Sequence, residues 1–259
     1  MVDIHSHILP GLDDGARTMA ETLELIEFAR AHGTTTLVAS PHADPEYSYD
    51  PQRVDDLLLE AQQKVGNGIR LVRGCDFHLM FANIKDALKH PGRYTINGKC
   101  YLLVELSDLI VFPNTSQIWS QLENVGMKII LTHPERNPLI QQRIQLVEEW
   151  VQQGRYMQVT AHSLLGLFGE TALHFARTML DRGLVHFIAS DAHDIKVRSP
   201  RLDQAFEWLT KHYSPRLAEL LCIEHPMAAV EGRAIDLLEF PPELRRRSLP
   251  NIFYRLFGR

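Results

Sequence analysis

Strand-type and helix-type runs alternate seven times along this chain, and few folds accommodate such an order. An opening strand around Asp3 to His7 is followed by strand-type runs at 34–40, 69–72, 101–104, 128–132, 155–160 and 185–190. Helical periodicity is read between and after them at 18–32, 54–65, 114–125, 139–153, 170–182, 201–212 and 215–222. Glycines close most of these patterns, at Gly33, Gly66, Gly126, Gly154 and Gly183. Alternation of this kind implies parallel strands joined by helical crossovers, as an α/β barrel or an open doubly wound sheet. In both, ligands gather at the carboxyl ends of the strands.

The residues at those ends are unusual. Six of the seven strands close on side chains that bind metals: His5 and His7, His42, Asp76, Glu105, His133, and Asp191 with His193. The sixth ends near Gln158 instead. In an extended strand, His5 and His7 point to one face. Asp13 and Asp14 follow in a Pro/Gly-rich turn that can fold back over the same spot, and Asp14 is taken as a ligand. Surface composition would scatter such residues over both strand ends. Five imidazoles and four carboxylates on one face would repel without cations. At four to six ligands per ion, with carboxylates shared, the set fits two or three divalent metals. Mixed imidazole and carboxylate donors suit Mn, Fe or Zn.

Composition narrows the function classes. The chain has 259 residues, 45% of them hydrophobic, enough for one large α/β domain. A net charge of −5 argues against a general nucleic-acid binder. No basic-then-apolar leader opens the sequence, and no apolar run approaches a membrane span. The three cysteines, Cys75, Cys100 and Cys222, form no C-x-x-C pair and read as reduced, buried thiols of a cytoplasmic protein. A cysteine phosphatase would need an arginine six positions after its thiolate. Phe81, Leu106 and Ala228 stand there.

Several motifs resemble one family. Asp-x-His-x-His-x-Leu-Pro-Gly-x-Asp-Asp-Gly at 3–15, Pro-His at 41–42, His-Pro-Glu-Arg at 133–136 and Ile-Ala-Ser-Asp-Ala-His at 188–193 are similar to the polymerase and histidinol phosphatase (PHP) superfamily. Within it they resemble the bacterial capsule and exopolysaccharide tyrosine-protein phosphatases of the CpsB/YwqE type. The resemblance runs from Met1 to about Ile235. It implies a distorted (β/α)7 barrel with two or three metal ions, manganese foremost, and phosphotyrosine hydrolysis on a membrane-associated bacterial tyrosine autokinase. The ligand positions it implies are His5, His7, Asp14, His42, Asp76, Glu105, His133, Asp191 and His193. Asp76 departs from the glutamate expected at its position, which puts bridging geometry or metal preference in question.

Arg136 lies three residues after His133 and Arg198 five after His193, so both can lean over the same mouth. Guanidinium matches phosphate with a bidentate fork, and the resemblance points to the same two positions. His78, two beyond Asp76, could share its face, and Gln158 and His162 could line the pocket. His32, His90, His174 and His212 read as solvated, and His186 as packing. Competing readings are a small-molecule phosphatase of the histidinol-phosphate kind, a phosphodiesterase on the same barrel, and a binding protein that kept the barrel.

The phosphatase domain is read as 1–239, followed by a basic tail at 240–259. The tail carries Arg245, Arg246, Arg247, Arg255 and Arg259 against one acid, Glu243. Ile252, Phe253, Leu256 and Phe257 share one face of a short helix there. It either packs on the barrel or lies on an anionic membrane or acidic partner.

Overall fold

The computed structural model describes residues 1–235; the tail at 240–259 lies outside the described residues. Among the described residues nine strands are all parallel: β1 (Val2–Ser6), β2 (Thr36–Ala39), β3 (His42–Ala43), β4 (Arg70–Arg73), β5 (Asp76–His78), β6 (Tyr101–Glu105), β7 (Lys128–Thr132), β8 (Tyr156–Thr160) and β9 (Phe187–Ala189). They form a three-stranded sheet, β1-β2-β4, and a six-stranded sheet, β3-β5-β6-β7-β8-β9.

The two sheets are parts of one ring. β3 continues β2 past Ser40-Pro41, and β5 continues β4 past Gly74-Cys75. Backbone bonds carry the ladder through the bends, from Gly74 N to Ala39 O at 2.7 Å and from Asp76 N to Pro41 O at 3.1 Å. Pro41 has no N–H to donate, which favours a break there. The first and last strands meet through Asp191 N to His5 O and His7 N to Ala192 O, both 2.8 Å. Seven strand positions result, one of the two architectures the alternation allows and the distorted (β/α)7 barrel that the family resemblance implies.

The helices are α1 (Met19–Ala31), α2 (Pro51–Val65), α3 (Phe81–Lys89), α4 (Thr115–Asn124), α5 (Ile144–Gln152), α6 (Ala161–Leu164), α7 (Gly169–Asp181), α8 (Asp203–His212), α9 (Pro215–Glu219) and α10 (His225–Glu231). Local chemistry sets their starts. Thr18 Oγ1 accepts from Glu21 N at 3.2 Å, and Asp50 accepts from Gln52 N at 3.0 Å with Pro51 beginning α2. The helix expected from 139 begins only at Ile144. Asn137 Oδ1 accepts from Leu139 N and Ile140 N and holds that segment in a turn. The helix expected at 215–222 becomes α9, a π-helical turn at Leu220–Glu224, and α10. Pro226 cannot donate to the preceding turn, so the hydrogen-bond pattern widens there.

Period-two alternation divides the core. Ile4, Val38, Val72, Tyr101, Leu103, Ile130 and Phe187 pack inside the barrel, closed off by Ala228 to Val230 of α10. Leu102, Val104, Ile129 and Leu131 face outward onto the helices. There Trp119 and Trp150 meet edge to face, with ring centroids 4.9 Å apart. The interior is therefore packed below and leaves its chemistry to the strands' carboxyl ends. Cys75 and Cys222 are fully buried as expected, but Cys100 is only partly buried, with Sγ 3.7 Å from Gly232 O.

Candidate metal centre

The strand pattern places the site residues. In β6, Tyr101 and Leu103 point inward, so Glu105 follows on the same face. In β9, Phe187 and Ala189 do the same, and Asp191 comes next inward. β1 needs a correction to this rhythm. Its pairing with β2 slips between Asp3 and Ser6, a bulge that re-aims the strand's side chains. His5 and His7 then converge until their Nε2 atoms lie 3.1 Å apart.

All nine expected ligands come together, in four overlapping sets. His7, Asp14, His42 and His193 form one; His5, His7 and Asp76 form another; and His5, His133 and Asp191 form a third. The fourth joins His42, Asp76 and Glu105 with His78, whose Nε2 lies 3.3 Å from Glu105 Oε2. His78 thus joins the centre, as its place two residues past Asp76 allows. Asp76 Oδ2 is 3.2 Å from His42 Nδ1 and 3.6 Å from His5 Nε2. Asp14 reaches in from its half-exposed loop, with Oδ1 3.2 Å from His193 Nε2 and 3.5 Å from His42 Nε2. That loop is tight: a Cβ added at Gly15 would fall 1.9 Å from His7 O.

The donor set fits divalent cations. Both oxygens of the buried Asp76, and one ring nitrogen each of His42, His78 and His193, lie close to one another but in no properly aligned hydrogen bond. Orphaned polar atoms of this kind are costly unless something else satisfies them. Two imidazole nitrogens 3.1 Å apart match two ligands on one ion at metal–nitrogen distances of about 2.1 Å. The charges point the same way. Burial and the neighbouring Asp76 push the Glu105 carboxyl up to about 7. Burial opposes a charge on His42, yet its contacts with Asp14 and Asp76 raise it to about 11. Likewise Asp13 raises His7 to about 9 against burial. The pocket demands positive charge, which cations would supply.

Supporting contacts fix the rings. Gln158 Oε1 accepts from His5 Nδ1 at 3.0 Å, and Asp13 Oδ2 accepts from His7 Nδ1 at 2.7 Å. Each leaves Nε2 facing the centre, the usual division of a ligating histidine. Asp13 Oδ1 also accepts from Gly15 N at 3.0 Å, so one carboxylate shapes the loop that carries Asp14. The Asp13-Asp14 pair is visible in the sequence, but spacing alone does not divide the two roles. His162 is buried beside Ser199, and His186 is buried against the Tyr156 ring with its Nδ1 accepting from Met157 N at 3.0 Å.

Arg136 and Arg198 both donate to Asp191 Oδ2, Arg198 through Nη2 at 2.5 Å. Arg136 also lies over the Phe168 ring, 4.4 Å from its centroid. A cavity of about 310 Å³, lined by Glu105, His133, Arg136 and Phe168 among others, opens beside them.

Residues 1–231 match the family described as "Capsular polysaccharide synthesis, CpsB/CapC". This chain belongs to the CpsB/CapC family. Among CpsB/CapC relatives, a putative tyrosine-protein phosphatase CapC of Staphylococcus aureus is 37% identical over 210 residues, covering 80% of this chain and 82% of the relative. Tyrosine-protein phosphatase YwqE of Bacillus subtilis is 29% identical over 257 residues, covering 98% and 100%. A solved structure from the pair YwqE of Bacillus subtilis and CpsB of Streptococcus pneumoniae, described as metal-dependent tyrosine phosphatases, superposes with a TM-score of 0.85. It shares 29% identity, covering 91% of this chain and 96% of that one. An amidohydrolase from Mycoplasma synoviae, at 13% identity and a TM-score of 0.54, shares the fold alone.

Asp76 gives the first testable result within this CpsB/CapC site. Asp76→Glu should keep its metal, because the longer carboxylate retains charge. Asp76→Asn should lose it, since a neutral amide between His5 and His42 cannot offset cation charge. Equal metal content by elemental analysis in wild type and Asp76→Asn would remove Asp76 from the ligand set.

Proposed function

We propose that this chain is a metal-dependent protein-tyrosine phosphatase acting on a membrane-associated bacterial tyrosine autokinase that governs capsule or exopolysaccharide synthesis. The observation that carries the reading is the convergence of nine candidate ligands with two arginines poised on one of them. His5, His7, Asp14, His42, Asp76, Glu105, His133, Asp191 and His193, joined by His78, would hold two or three ions. Manganese is the first candidate, with iron or zinc as alternatives. Such ions supply charge neutralisation and Lewis acidity for phosphoryl transfer.

The chain's own residues do the rest. Arg136 and Arg198 present guanidinium forks to the phosphate oxygens. Asp191 holds both in place before substrate arrives, and Phe168 orders the Arg136 side chain. Gln158 and Asp13 keep the His5 and His7 rings oriented. Phenolate is a fair leaving group because its conjugate acid has a pKa near 10, so a strong proton donor is not required. Thiolate chemistry finds no support: Cys75 and Cys222 are fully buried, and burial pushes the Cys222 thiol up to about 12.

Chelation should abolish hydrolysis of a phosphotyrosyl peptide, and added Mn²⁺ should restore it. Full activity in protein shown by elemental analysis to be metal-free would end this reading. A higher kcat/KM on histidinol phosphate than on phosphotyrosyl peptide would move the chain to the small-molecule phosphatases.

A cytoplasmic location is part of this proposal and rests on the sequence; among the described residues no helix is long and apolar enough to cross a membrane. For the phosphatase domain at 1–239 and the basic tail at 240–259, the proposal rests on sequence. Each arginine near an anionic leaflet contributes roughly 1 kcal/mol. Truncation after Glu239 should leave turnover of a small aryl phosphate unchanged and weaken salt-sensitive binding to anionic vesicles or to the kinase. Undiminished binding, or failure to fold, would make the tail structural.

A further inference from the structure

A groove of about 630 Å³ runs between α3 and α4 on the rim of the metal centre. Its lining includes Leu79, Ile84, Leu88 and Ile118, with Phe81 and Phe112 on its lips, 81% and 42% exposed. Both walls grow directly out of the site. Leu79 follows the candidate ligand His78, and the segment leading to Phe112 follows Glu105. Asn83 Nδ2 donates to Ala43 O at 2.7 Å and to His78 O at 3.4 Å, which pins the start of α3 to the ends of β3 and β5. A chain whose phosphate sits at the metals can therefore pass into the groove.

Charge selects the occupant. Lys85 and Lys89, one turn apart on α3, line the groove. Neither has an ion-pair partner among the described residues. Asp86, between them in sequence, is taken by Arg93 and Tyr94 at 2.9 Å each. The cavity beside Arg136 is lined instead by Asp108 and Glu170 as well as Glu105. The two sides of the mouth thus differ in sign. α3 is about 13 Å long, room for about four residues of extended chain.

We infer that this groove is the docking surface for the polypeptide flanking the phosphorylated tyrosine, and that it selects a flank mixing apolar and acidic side chains. The inference rests on the phosphotyrosine reading above and names the substrate class of that site.

The test uses the full-length, metal-loaded protein with p-nitrophenyl phosphate and three phosphotyrosyl peptides, whose flanks are acidic-apolar, Gly/Ser-only and basic-polar. Wild type should favour the acidic-apolar peptide over the basic one by roughly tenfold in kcat/KM. The exposed double variant Lys85→Glu/Lys89→Glu should abolish or reverse that preference. Phe81→Ser/Phe112→Ser should raise KM for the acidic-apolar peptide severalfold. Both variants should turn over p-nitrophenyl phosphate as wild type does.

Equal wild-type kcat/KM on all three peptides would overturn the groove assignment and leave the phosphotyrosine reading standing. So would a preference that survives both variants. Turnover of p-nitrophenyl phosphate without any peptide hydrolysis would overturn both. If Phe81→Ser/Phe112→Ser instead lost binding to anionic vesicles, or broke a dimer, with peptide kinetics unchanged, the patch would serve a membrane or a second copy and the assignment would fail.

Discussion

Asp191→Asn protein should fold, bind less metal than wild type and lose at least about a thousandfold in turnover. Asp191 links the candidate ligand histidines to the two arginines. Its Oδ1 lies 3.5 Å from His5 Nε2 and 3.4 Å from His7 Nε2, while its Oδ2 receives Arg136 and Arg198. Burial alone would raise its pKa, but His5, His7, His133 and Arg198 hold it well below the usual carboxylate range. Removing its charge leaves two guanidinium groups without their anion beside a pocket meant for cations. Breaking a buried pair in this way costs about 3–5 kcal/mol, and the surplus positive charge repels the metals. Asn is the better probe than Ala, because φ at this residue is +54° and Asn tolerates that region while Ala is strained there. Elemental analysis, a melting curve and kcat on an aryl phosphate separate the contributions. A full metal complement with wild-type turnover in Asp191→Asn would remove Asp191 from the centre.

Removing both arginines should have the second largest effect. Arg136→Ala and Arg198→Ala should each lose about 10²- to 10³-fold in kcat/KM with metal content unchanged, the scale of one lost charge-stabilising donor. Both arginines pair with the same oxygen of Asp191, so their contributions should couple and the double variant should depart from the product of the singles. Arg136 has more to lose, since it is also stacked on Phe168. Arg136→Lys should recover little, because an ammonium keeps the charge but not the fork. Wild-type kcat/KM in Arg136→Ala would refute the phosphate clamp.

Much of this site was legible because parallel strands advertise their carboxyl ends. Glu105 and Asp191 could be placed by counting two residues from an inward apolar neighbour. His5 and His7 were placed together by the same counting, although a bulge in β1 lies behind the observed convergence. The part played by Asp13 could not be read, since only the folded loop turns its Oδ2 toward His7 rather than toward the centre. α3 also escaped the sequence reading. Met80 offers no side-chain cap, and the helix buries only Ala87. Its apolar residues Phe81, Ile84 and Leu88 line the groove, where Ile84 and Leu88, only partly buried, also pack against the edge of the core. The start of α5 was misplaced because Asn137 can hold a turn as readily as a helix start, and it is hydrogen bonds to Leu139 and Ile140 that decide.

Three residues other than glycine have a positive φ in the described chain, and two of them, His133 at +31° and Asp191 at +54°, are candidate ligands at adjacent corners of the site. Such conformations cost about 1–3 kcal/mol each. Asparagine or glycine would relieve the strain at position 133, and neither would bring an imidazole. On the proposed metal-centre reading, the sequence holds a less comfortable residue at a candidate ligand position, a trade of thermodynamic stability for activity. Ions that bind the folded state alone would return part of that stability by mass action. On that reading the endurance of this protein would be tied to metal supply, and starvation for metal would weaken the fold as well as silence the chemistry.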